Sequence, residues 1–210
     1  MLKQTFKNKL EFDIYLAVRI VDKRKGWLTV SERKQLEPML DKDYKPNIIV
    51  EEKKKIAKPL VTNYAQLRIP CEPVTKNDDI KGIVQDLKDG LDNLSGIGIS
   101  GIQIGINKKI SYIRIPQLNE KKQLEMKEII LINPKIIEHS RSFIFKGEGC
   151  TSFPGLRIDT DRFVFITVVN YNEKLEPNTF MSQDLEGVCI AHEIDHCNGI
   201  VFLSRKHRTK

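Results

Sequence analysis

What this chain lacks narrows its class before any motif is read. It has no apolar run long enough to span a bilayer, which takes roughly 20 residues as a helix. Its first residues do not read as a secretory signal, because Glu11 and Asp13 interrupt them before an apolar core can form. The same acids argue against a transit peptide. Cysteine is scarce: Cys71, Cys150, Cys189 and Cys197 make four, at irregular spacing. That is too sparse for a disulfide framework and suits a reducing compartment, where a reactive thiol serves a metal. The pattern G-x-x-x-x-G-K-[ST] is absent, so the glycine-rich stretch 96–105 is not a phosphate cradle. No strand leads into that stretch as a dinucleotide fold requires.

What is present suits a globular chain. At 210 residues, 40% hydrophobic and 30% charged, it makes one domain with an appendage, or two very small domains. The net charge is +7. This permits contact with nucleic acid or acidic lipid, but lysine-rich solvated faces explain it more simply.

Residues 1–58 differ from the rest of the chain and form an N-terminal extension of unknown role. Phe12–Val21 reads as a strand or a short helix, Ser31 caps a short helix disturbed at Pro38, and 51–55 is a solvated charge run. Residues 59–204 form the main domain. A helix runs from Asp79 to Leu94, with Ile80, Ile83, Val84, Leu87, Leu91 and Leu94 on one face. Strands follow at 110–115, 129–132, 142–146 and 163–171, with 116–128 a polar loop or hairpin end. A last helix starts near Ser182, its N-cap, and runs to about Asn198, where Gly199 can end it. Strands followed by a helix, without strand–helix–strand alternation, predict an α+β fold. Its antiparallel or mixed sheets pack around the C-terminal helix. The tail 205–210 is basic and reads as loose.

That helix carries the chemistry. His192-Glu193-Ile194-Asp195-His196 is an H-E-x-x-H sequence. On a helix, its imidazoles at i and i+4 point the same way and can share a metal ion, with Glu193 beside them to handle a proton. Metal chemistry needs a third ligand and an open position. Cys189 shares the histidine face, but lies seven residues from His196, about 10 Å along the axis at 1.5 Å per residue. Cys197 is rotated by about 100° from His196. Cys71 sits in a Pro-rich segment. Cys150, between Gly149 and a turn, is the best third ligand.

Three motifs then carry a family resemblance. Gly96–Gln103 is similar to the G-x-G-[LI]-[AS]-[AG]-x-Q of peptide deformylases, Glu148–Ser152 to their E-G-C-x-S, and His192–His196 to their H-E-x-D-H. The order matches, and the resemblance spans roughly residues 64–205. It implies a metal held by Cys150, His192 and His196, typically Fe²⁺, with Zn²⁺ or Ni²⁺ also found. It implies hydrolysis of the formyl group from N-formyl-methionyl nascent peptides, a metal-bound hydroxide attacking the formyl carbon. Glu193 would be the general base and acid. Gln103 and the Thr151 N–H would meet the oxyanion. Ile97, Gly98, Glu148, Gly149, Leu185, Val188 and Cys189 would line the substrate pocket. Glu148 would also pair with Arg162, and Asp195 would orient a histidine or cap the helix. A cytoplasmic location is expected, with organellar or phage-encoded origin open. No membrane or DNA partner is expected; a ribosome contact through the basic surface is.

The chain departs from the family pattern at Thr151, where leucine is usual, at Ser100-Gly101, where Ala-Ala is common, and at Ala191, where glutamine is common. Two rival readings are an HExxH zinc peptidase and a ribosome- or RNA-binding protein whose metal is structural.

Overall fold

The computed structural model describes residues 58–94, 96–118 and 124–208. The elements expected at 12–21 and 31–38 and the charge run at 51–55 lie outside them. The first element is a single turn, α1 (Tyr64–Leu67), capped by Asn63, whose Oδ1 accepts from the Ala65 and Gln66 N–H groups. Next comes α2 (Ile80–Asp92), where the sequence stripe predicted it. Asp79 is its N-cap and accepts from the Gly82 N–H. Ile80, Val84, Leu87 and Leu91 are buried on one face and join a core with Ile99, Ile110, Tyr112 and Ile132. Each fully buried Leu or Ile contributes roughly 1.5–3 kcal/mol.

Three antiparallel sheets follow. The first has the order β1 (Gly98–Ser100), β2 (Ile110–Leu118), β3 (Leu124–Ile132), with Gly98–Ser100 paired to Ser111–Ile113. Between β1 and β2 lies a 3₁₀ turn, Gly101–Ile104. β4 (Lys135–His139) belongs to the second sheet, and β5 (Ser142–Gly149) pairs with β6 (Arg157–Phe163) as a two-stranded ribbon. β7 (Phe165–Tyr171) sits between β4 and β8 (Pro177–Gln183). Every strand pair among the described residues is antiparallel; the one parallel contact is an isolated bridge, Glu72 to Lys108.

Two boundaries differ from expectation. Residues 116–118 and 124–128 are strand, not loop, because the hairpin of β2 and β3 keeps its register out to Leu118 and Leu124. The last helix, α3 (Asp184–Cys197), begins two residues later than Ser182. Ser182 is in β8, and its hydroxyl donates to Glu186 Oε1 at 2.9 Å rather than capping the helix. β8 runs straight into α3, turning at Asp184, whose φ is 53°.

α3 is buried on nearly all sides. Ile190, Ala191 and Ile194 pack against Ile113, Leu131, Ile166 and Val168 of two sheets. Such a helix is held by its surroundings, and its side chains have little freedom. Gly199 ends it with φ +70°, as expected. It also has no room for a side chain: a Cβ there would lie 2.5 Å from the Arg68 carbonyl oxygen and 2.9 Å from Pro70 N. Gly199→Ala is therefore expected to cost about 1–2 kcal/mol in left-handed backbone strain, plus about 1–3 kcal/mol of overpacking. The urea midpoint measures this; a loss below about 1 kcal/mol would contradict the contact.

The chain after α3 is anchored through residue 207. Phe202–Arg205 forms a 3₁₀ turn. Arg205 pairs with Asp195, and His207 with Asp161. The expectation of a loose tail fails there, because two of its basic side chains meet acids of the folded domain. Among the described residues, no helix is long and apolar enough to cross a membrane.

Candidate metal centre

Helical spacing brings His192 and His196 together on α3, with ring centroids 5.0 Å apart. Cys150 follows directly on β5 and is bent by a turn, its carbonyl accepting from the Phe153 N–H at 2.9 Å. This bend carries its Sγ to 3.3 Å from His196 Nε2. One ligand atom from each of the three residues lies within 4.8 Å of the others.

These residues fit a divalent metal on their own geometry. His192 Nδ1 is 2.6 Å from Glu148 Oε1. An ionised carboxylate only accepts, so Nδ1 carries the proton and Nε2 keeps a lone pair for an ion. His196 Nδ1 is buried with no hydrogen-bond partner, so its Nε2, beside the sulfur, is the atom in use. A soft thiolate and two imidazoles suit Fe²⁺, Zn²⁺ or Ni²⁺. The other cysteines do not join them. Burial raises the Cys197 thiol to about 12, and, for Cys71, to about 11 against a small opposing pull from Lys109. Cys189 is in the core with Ile190 and Ile194.

Behind these three residues is a buried charge set. Arg162 Nη2 donates to Glu148 Oε1 at 2.5 Å and its Nε to Oε2 at 2.8 Å. Thr160 Oγ1 also donates to Oε2. Burial alone would raise the Glu148 carboxyl, but Arg162 and His192 outweigh it and hold it well below the usual carboxylate range. Arg162 Nη1 reaches Asp195 Oδ2 at 2.7 Å, and Arg205 closes on the same carboxylate. Asp195 therefore neither touches a histidine nor caps the helix. It anchors two arginines. The family resemblance implied the Glu148–Arg162 pair; Thr160 and Arg205 carried no signal in the sequence.

Glu193 is 3% exposed. Burial raises its pKa, with His192 and then Ser100 pulling the other way. Its Oε2 accepts from Ser100 Oγ at 2.7 Å. Its Oε1 lies over Gly98, where a Cβ would come within 2.5 Å. Gly98 is thus a site residue because of the carboxylate it admits.

Gln103 is 1% exposed, not a solvated loop residue. The Ser100 N–H donates to its Oε1 at 2.9 Å. This fixes the amide's sense, because only the oxygen can accept. Its Nε2 therefore faces Thr151 Oγ1 and Ser152 Oγ at 3.1 Å each, and Cys150 Sγ at 3.4 Å. Of the expected pocket residues, Ile97 and Leu185 pack half-buried against the cluster holding Cys189. Val188 is buried, and Gly149 sits in the last position of β5.

Antiparallel sheets around a buried helix, with a thiol and two imidazoles converging beside a carboxylate, define a metalloenzyme of the hydrolytic kind. Residues 56–210 match the family model of polypeptide deformylase, and the chain belongs to that family of metalloenzymes. It is 37% identical to peptide deformylase 1 of a Nostoc species over 165 residues, covering 76% of this chain and 86% of the relative. Peptide deformylase 2 of Clostridium perfringens is 34% identical over 66% of this chain and 85% of its own length. The crystal structure of a Synechococcus elongatus peptide deformylase in complex with actinonin superposes with a TM-score of 0.62 at 30% identity, covering 76% of this chain and 85% of that one.

Proposed function

We propose that this chain removes the formyl group from N-formyl-methionyl peptides emerging in protein synthesis, in the cytoplasm. The observation that carries the reading is the approach of Cys150 Sγ to the two rings of α3 within a buried site. Cys150, His192 and His196 would hold the ion, which we take to be Fe²⁺, with Zn²⁺ or Ni²⁺ as substitutes. Bound there, it supplies Lewis acidity that makes water a better nucleophile near neutral pH.

The remaining steps belong to side chains of this protein. Glu193 takes a proton from the attacking water and returns it to the leaving amine, giving formate and a free N-terminus. The Gln103 amide, turned inward by the Ser100 N–H, donates to the oxygen that gains charge; the Thr151 N–H is the second donor. Threonine at 151 in place of leucine leaves that backbone donor intact. Ile97, Leu185, Val188 and Cys189 offer an apolar surface to the methionine side chain, beside Gly98, Glu148 and Gly149. A ribosome contact would rest on the +7 net charge; Arg205 contributes less to it than its charge suggests, since it is already paired with Asp195.

The test is turnover by protein purified without oxygen, with its metal content measured on the same sample. Formyl-Met-Ala should be cleaved, and acetyl-Met-Ala and casein should not. Casein cleavage would point instead to an internal peptidase, and no cleavage of any of the three to a non-enzymatic role.

A further inference from the structure

Glu193 is held by more than its own helix. Its Oε2 lies 2.7 Å from Ser100 Oγ, and Ser100 Oγ lies 2.7 Å from Ser111 Oγ. Ser111 Oγ in turn is 3.6 Å from Cys197 Sγ. Ser100, Ser111 and Cys197 are each 1% exposed or less. No water is needed to link them, and each hydroxyl has one proton to give.

That count sets the direction of the row. An ionised carboxylate can only accept, so Ser100 must give its proton to Glu193. Ser100 must then accept from Ser111, and Ser111 from the Cys197 thiol. The Glu193 carbonyl, 3.2 Å from Ser100 Oγ, is a second and longer acceptor for the same proton. A hydroxyl between two acceptors is biased toward the nearer, charged one when another donor occupies its lone pair. The row therefore ties Oε2 and leaves Oε1, the atom over Gly98, as the free oxygen.

The family pattern admits alanine or serine at this position, and this chain has the hydroxyl. It lies on β1, and Ser111 is its register partner on β2. Two paired strands thus put adjacent hydroxyls under the carboxylate.

We propose that Ser100, oriented by Ser111, is a positioning residue that fixes the carboxylate of Glu193 for proton transfer. The proposal rests on the deformylase reading of the site. Both serines are buried, at 1% and 0% exposed, so their loss should act on turnover and not on binding.

The test compares S100A, S111A and the double variant with the wild-type protein, all metal-loaded, on formyl-Met-Ala. A hydrogen bond to a charged group lost at this position should lower kcat about 10–100-fold in S100A, with KM within about twofold. The double variant should be no slower than S100A, because Ser111 acts only through Ser100. In crystals of metal-free S100A, Glu193 Oε2 should leave its place above residue 100. A kcat within twofold of wild type, an equal rise in KM, or an unmoved carboxylate would each overturn the proposal. If S100A does not fold, S111A decides: a several-fold fall in kcat at constant KM supports it, and an unchanged kcat overturns it. Failure of the wild-type protein to cleave the peptide would instead remove the deformylase reading.

Discussion

Glu193→Gln is expected to lower deformylation by about 10²–10⁴-fold, the usual worth of a placed general base and acid. Glutamine has nearly the same volume, and its amide oxygen can still accept from Ser100 Oγ, which now lies 2.7 Å from Oε2. The packing around Gly98 and β1 should therefore survive. What is lost is the capacity to take a proton and give it back. Metal content and melting temperature should match the wild type, so the loss would be chemical and not structural. A variant that keeps more than a tenth of the activity with metal bound would remove Glu193 from the proton-transfer role.

Arg162→Met should produce the largest stability loss of any single charge removed from this domain. Arg162 is 3% exposed, and its partners Glu148 and Asp195 are 4% and 8% exposed at their side chains. Removing the cation leaves Glu148 facing only Thr160 and His192, and Asp195 facing only Arg205. Breaking a buried pair in this way costs about 3–5 kcal/mol. The exposed pair Lys88–Glu128, at 32% and 47% side-chain exposure, is worth at most about 1 kcal/mol. Urea unfolding of Arg162→Met beside Lys88→Met would measure both. Equal losses would show that burial does not set the cost of these charges. The variant should also bind metal less well, since Glu148 holds the His192 ring by its Nδ1 proton.

The sequence made the helices and the ligands readable for different reasons. α2 was legible because its apolar stripe has a period that only a helix satisfies. The convergence of Cys150, His192 and His196 was legible because metal geometry leaves few choices among four cysteines, and the family motifs agree with it. Strand ends were harder. The strand pairs at 116–118 and 124–128 are held by backbone register, which polar side chains do not reveal. Ser182 has the chemistry of a cap, but its hydroxyl found Glu186 instead. Local preference identifies a donor; it does not identify the acceptor. For the same reason, Thr160, Ser111 and Arg205 were invisible. Each matters only for a group far along the chain that folding brings beside it.

The metal centre also bears on how the domain assembles. The sulfur and the His196 ring are 46 positions apart along the chain. Closing a segment of that length carries an entropic cost before any contact rewards it. An unfolded chain thus offers the ion two neighbouring imidazoles but holds the sulfur far from them. An ion held by the native cluster would then favour the folded state, and cells starved of it would carry a domain that opens more readily to proteases.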